Sequence, residues 1–136
     1  MAGKIDAVVT EPDLGKPITT PLPRRELEER IQRSRKLYLK FFTNIRPVLK
    51  DEAWVVFALP AFRLRSIGKD VFTLFPTDFL DEVRKLGYRF SQLLPQELKH
   101  YYEASERGTL IYARPDALVG RELTLWHTRK RGDRHN

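Results

Sequence analysis

The chain has 136 residues, one domain's worth with length for a sizeable core, and its 41% hydrophobic and 32% charged residues exclude a disordered chain. It contains no cysteine, which excludes a disulfide scaffold, a thiolate metal site and a cysteine nucleophile. Lys plus Arg number 25 against 18 Asp plus Glu, and the net charge of +7 fits a polyanionic partner, most simply nucleic acid, as well as it fits a solvated basic surface. The longest apolar run, residues 53–60, is far too short to cross a bilayer. The first residues lack the apolar stretch of a secretory signal, so a cytoplasmic protein is the default expectation.

Residues 5–10 (IDAVVT) predict a strand running into the turn-like Glu11-Pro12-Asp13-Leu14-Gly15. Residues 16–23 hold three prolines and predict an irregular loop. Residues 24–46 predict a long amphipathic helix with Leu27, Ile31, Leu37, Tyr38, Phe41, Phe42 and Ile45 on its apolar face. Glutamates come early and cations late, as the helix dipole favours, and Pro47 ends or kinks the last turn. Residues 53–59 (AWVVFAL) predict a strand buried on both faces and closed by Pro60. Residues 61–75 give no clear period. A second helix starts with Thr77 or Asp78 as its cap and runs to Leu86, with Gly87 beyond its end. Strands follow at 88–94, at 108–114 and at 121–128, the last two as an antiparallel pair at a sheet edge. The tail 129–136 is basic and expected to fray.

Strands alternating with helices predict an α/β sheet. The ligand edge of such a sheet lies at the carboxyl ends of its parallel strands, which places Thr10 to Gly15 there. A proline-stiffened loop can aim backbone carbonyls and a carboxylate at a substrate amine, because an amine needs acceptors. On these six residues alone an ordinary strand-to-helix turn is the simpler reading. The three histidines have no metal-ligand spacing, and no serine sits in a nucleophile-elbow setting.

Ile5-Asp6-Ala7-Val8-Val9-Thr10-Glu11-Pro12 with Leu14-Gly15 resembles the catalytic loop of S-adenosylmethionine-dependent RNA methylases. The nearest group is the THUMP-associated tRNA guanosine 2-amino methyltransferases. Tyr112-Ala113-Arg114-Pro115-Asp116 and Val119-Gly120-Arg121-Glu122 resemble the final strand and tail of the same group. The resemblance spans residues 5–128 and implies the C-terminal half of a Rossmann-like class I methyltransferase sheet, from its fourth strand onward. It makes 1–128 a partial catalytic domain and 129–136 a basic tail.

The resemblance implies S-adenosylmethionine as cofactor and RNA, tRNA above all, as partner. It places Thr10, Glu11, Pro12 and Asp13 in the catalytic loop. Asp13 stands where the family pattern carries an aromatic that stacks on the base, and aspartate cannot stack. The implied reaction is in-line methyl transfer to a nitrogen, which needs orientation and acceptors for the growing charge, and neither a metal nor a nucleophilic side chain. Arg63, Arg65 and Lys69 are candidate phosphate contacts, as are Arg114 and Arg121 of the tail, for which a salt bridge to Asp116 or Glu122 is the structural alternative.

None of the seven glycines forms the G-x-G turn on which the fold rests its methyl donor. A separately encoded donor-binding half or a truncated reading frame is therefore expected, as is self-association through the exposed edge strand 5–10. Two readings remain beside RNA methylation: a non-enzymatic basic α/β module that binds RNA or completes a partner's sheet, and a DNA amino-methylase.

Overall fold

The structure, a computed structural model, describes residues 3–66, 69–93, 95, 97 and 104–130, without the side chains of 65, 66, 69 and 70. Its elements are β1 (Ile5–Thr10), α1 (Arg24–Ile45), a 3-10 turn (Arg46–Val48), β2 (Leu49–Ser66), β3 (Lys69–Thr73), α2 (Thr77–Lys85), β4 (Tyr88–Ser91), β5 (Leu110–Tyr112) and β6 (Val119–Thr128). The six strands form one sheet with β1, β2, β6 and β4 in that order; β3 pairs with β2 and β5 with β6. β1 and β2 are parallel and joined through α1, whereas β6 is antiparallel to β2, β4 and β5. The fold is α/β: a parallel strand pair joined through a helix and continued by antiparallel strands in one mixed sheet.

Both helices cover one face. Val8, Val55, Trp126 and Phe90 form a cross-strand row on that face, packed with Leu27, Ile31, Tyr38 and Phe42 of α1 and Phe79, Leu80 and Val83 of α2. The core is aromatic: Phe42 meets Phe57, Tyr88 and Trp126 at centroid separations of 4.8, 5.0 and 5.7 Å. The polar atoms of Trp126, Tyr88 and Glu122 within it are satisfied. The Trp126 indole donates to Thr124 Oγ1 at 2.9 Å, and the Tyr88 hydroxyl donates to the Phe42 carbonyl at 2.8 Å. Buried Glu122 accepts two bonds from Arg107, at 2.6 and 2.7 Å, and a third from Thr109. Arg107 also donates to the Phe75 carbonyl, tying the segment before β5 to the start of α2. The opposite face bears the rows Ala7–Trp54–His127–Arg89 and Val9–Val56–Leu125–Ser91, with no described helix over them.

Several expectations are corrected. Pro60 does not close β2, which continues six residues further. The Arg63 N–H donates to Leu118 on the β6 side, so by strand alternation the Pro60 nitrogen points to the other edge. There it meets the gap between the last β1 pair at Phe57 and the first β3 pair at Phe62, where no donor is needed. β2 is not buried on both faces, since Trp54 is 45% exposed on the uncovered one. The unassigned stretch after Pro60 is a β-hairpin, β2 to β3.

The expected antiparallel pair β5–β6 stands at the sheet edge: β5, end to end with β4, is the outer strand, and β6 lies inside it against β2. β4 and β5 are shorter than expected. Leu37 is off the apolar face, about 100° around the helix from Tyr38, and is half exposed. Pro76, not Thr77 or Asp78, holds the N-cap position of α2, where no side chain caps the helix and the Pro76 carbonyl accepts from Phe79 N–H. The tail does not fray at Arg129, whose N–H donates to the Gly87 carbonyl and whose side chain donates to the Arg84 carbonyl.

A bulge interrupts the β1–β2 register between Ile5 and Ala7, and Glu52 there adopts a φ of 63°. Thr128 of β6 fills it: its buried hydroxyl accepts from Ala53 N–H at 2.7 Å and donates to the Lys50 carbonyl at 2.8 Å. No described helix is long and apolar enough to cross a membrane.

Candidate active site

The loop after β1 leaves the sheet where Thr10 pairs with Phe57 and crosses the carboxyl edge of the parallel pair toward α1. It is held from the helix. The Tyr38 hydroxyl donates to the Asp13 carbonyl at 2.8 Å. Burial pushes this phenol up to about 12, so it stays a donor. Arg30 donates to the Leu14 carbonyl at 2.9 Å and to that of Lys16. Burial lowers the Arg30 pKa from its ordinary value. The Asp13 carboxylate turns back to accept from Gly15 N–H at 2.8 Å, an Asx-type turn. Gly15 has a φ of 91°, and a Cβ there would strike the Arg30 guanidinium.

The loop is braced from the other side as well. Glu11 forms an ion pair with Arg121 of β6. Arg121 shares the uncovered face with Leu123, Leu125 and His127 by strand alternation, so the pair stands where the carboxyl edge meets that face. Arg63 donates through its backbone N–H to Leu118 and through Nη1 to the Pro115 carbonyl at 2.5 Å. This holds the loop between β5 and β6 at the same edge.

Two segments about a hundred residues apart, Thr10-Glu11-Pro12 and Tyr112 to Glu122, therefore converge. Around the loop, the Glu11 and Pro12 carbonyls accept no hydrogen bond from any described residue. A cleft of about 340 Å³ opens beside it, lined by Asp13, Gly15, Lys16, Arg30, Arg33, Ser34 and Leu37.

The other sequence candidates scatter. Arg63 is only 7% exposed, with its guanidinium 5.3 Å over the Phe72 ring, so it faces the protein and not solvent. Arg65 and Lys69 lie on the β2–β3 hairpin, with Arg65 roughly 26 Å along β2 beyond the Thr10 partner, and their side chains lie outside the described residues. Arg114 is exposed on the β5–β6 loop. Arg121 pairs with Glu11, not with Asp116 or Glu122. His127 lies 4.2 Å from the Trp54 ring; His100, Arg131, Arg134 and His135 fall outside the described residues.

The sequence reading missed Tyr38 and Arg30 as loop anchors. A tyrosine inside an otherwise apolar helix stripe was the available signal, since a buried hydroxyl needs a partner.

No protein-family model and no curated protein sequence matches the chain. Among solved structures it is similar to TTHA0409 from Thermus thermophilus, described as a "Putative DNA Modification Methylase". The form complexed with S-adenosyl-L-methionine has 16% identity and a TM-score of 0.43 over 99% of this chain and 49% of that one. A selenomethionine form gives 16% identity and 0.45, and a further form 14% and 0.45, each over 99% of this chain and 50% of that one. The chain thus spans about half the length of these structures.

Proposed function

We propose that this chain supplies the amine-facing loop of an S-adenosylmethionine-dependent nucleic-acid methyltransferase, and that its target is an exocyclic amine in RNA, a tRNA guanosine. The observation that carries this reading is the pair of carbonyls, Glu11 and Pro12, that accept from no donor among the described residues on a loop fixed at both flanks. An attacking amine is itself a donor, and fixed acceptors orient it and stabilise the positive charge that grows on nitrogen. Thr10 adds a hydroxyl at the strand end. Arg121 holds the Glu11 carboxylate in place.

The donor does not fit the described residues by themselves. The cleft beside the loop is lined by three cations against one carboxylate, a poor match for a sulfonium, and the sequence has no glycine-rich turn. The uncovered sheet face and the free edge of β1, where Val9 is 79% exposed, support the presence of a separate donor-binding half beside this one.

The test is calorimetry with S-adenosylmethionine on the chain alone and together with the product of the adjoining reading frame, followed by methyl transfer to unmodified tRNA. Donor binding is expected only in the pair. Glu11→Ala is expected to lower kcat by about 10²-fold while RNA affinity changes little. Absence of donor binding in both samples, or an unchanged rate in Glu11→Ala, overturns the reading in favour of a non-catalytic RNA-binding module. Transfer to DNA in place of tRNA overturns the choice of RNA.

A further inference from the structure

The two ends of α1 differ in how their cations are partnered. At the start, Arg24 meets Glu28 at 3.1 Å and Arg25 meets Glu29 at 3.5 Å. In the middle, Arg35, with its side chain 12% exposed, is held by Asp78 and Glu82 of α2. After Glu29 the helix has no acidic residue at all. Arg33, Lys36 and Lys40 are exposed and have no carboxylate partner among the described residues. Their i, i+3 and i+7 spacing puts them on one face, spread over about 10.5 Å of helix. Half-exposed Leu37 sits among them, four residues from Arg33 and three from Lys40.

Across the cleft lies exposed Lys16, on the loop that Arg30 pins. Like charges at these spacings repel, so the arrangement destabilises the free helix. A polyanion laid along the helix removes that repulsion. The stripe starts at the cleft lined by Asp13, the residue that follows Glu11 and Pro12 in the loop, and runs away from it.

We infer that Arg33, Lys36 and Lys40, with Lys16, form a track for the phosphodiester backbone of the single RNA strand that carries the target nucleotide. The inference rests on the reading of the loop as the amine-binding element. An amine offered to those carbonyls comes from an unpaired or everted base, so the strand beside it is single. Leu37 gives a base an apolar surface, and the Arg33 guanidinium plane offers a stacking surface where Asp13 offers none.

The test is fluorescence anisotropy of a labelled single-stranded RNA oligonucleotide over a salt series, with the chain and two variants. In the Arg33→Gln/Lys36→Gln/Lys40→Gln variant the slope of log K against log salt is expected to shrink by about 2, near 0.7 for each phosphate no longer neutralised. In Arg24→Gln/Arg25→Gln, whose cations are already paired, the slope is expected to stay within about 0.5 of the parent. An unchanged slope in the first variant, or an equal fall in both, overturns the track. Equal competition by duplex DNA overturns its assignment to a single strand. Glu11→Ala separates the two claims: a normal salt slope with methyl transfer lowered by about 10²-fold supports both. A shrunken slope in the triple variant beside unchanged transfer in Glu11→Ala keeps the track and removes the enzyme.

Discussion

The two faces of the sheet are built from the same strands and differ in almost every other respect. The helix face is closed by aromatic side chains, and its polar groups, Thr124, Glu122, Tyr88 and the Trp126 indole, are each hydrogen-bonded. The opposite face carries Val9, Trp54, Val56, Leu125 and His127 and ends at the Glu11–Arg121 pair. Apolar residues on both sides of a strand normally signal cover on both sides. Here the second set of side chains is present in the strands while its cover is not among the described elements. The two faces thus differ in what they hold: the helix face carries the core, and the open face meets the edge where the loop is braced.

Substituting one tryptophan on each face tests that difference most strongly. Trp126→Ala is expected to cost about 3–5 kcal/mol in denaturant unfolding, because it empties the core beneath Phe42 and Phe90. Trp54→Ala is expected to cost under about 1 kcal/mol, its effect confined to an exposed ring on His127. Equal costs would mean that the open face is covered in solution, by a second copy or another partner, and sedimentation at several concentrations would show which.

A smaller effect comes from the bond that joins the end of β6 to the irregular start of β2. Thr128→Val removes a hydroxyl that serves both Ala53 N–H and the Lys50 carbonyl, and is expected to cost about 1–3 kcal/mol. Hydrogen exchange should then rise first at Ala53. Exchange rising equally in α1 would show that the two ends of the sheet are not separable units.

The smallest effect belongs to the link between the helix face and the loop. Tyr38→Phe is expected to cost about 1 kcal/mol near neutral pH and to loosen the Gly15 amide, read by exchange. The pH dependence follows from the raised phenol. The native state keeps a proton that the unfolded chain releases above about 10. The parent therefore loses stability as pH rises from there through about 12, and the Phe variant loses less over that window.

Much of this was legible in the sequence, and the remainder has a common cause. β1, α1 and α2 follow from apolar period, from the three prolines before α1 and from Gly87 after α2, all local signals. The loop at Thr10 to Gly15 was legible because a strand end followed by Pro-Asp-Leu-Gly is local too. Pro60 inside β2 was not, because its acceptability depends on which neighbour β2 has at that residue. The central place of β6 depends on pairing with residues some seventy positions earlier. Arg63 and Arg121 look alike in sequence, yet one is buried on Pro115 and the other braces Glu11. An arginine's partner is set by tertiary distance, which no local window contains.

The position of β6 has a consequence in time. It is synthesised after every other element described here, yet it lies between β2 and β4 in the finished sheet. Until it emerges, β2 has an open side along most of its length, and Trp126 and Glu122 are missing from the core. The core therefore cannot close element by element as the chain grows. It waits for one late, long-range insertion, which makes folding slow by topology and leaves an unpaired strand exposed meanwhile. The Glu11–Arg121 contact spans 110 residues and forms only at that step. The loop from Thr10 to Gly15 is thus braced by the same event that completes the fold.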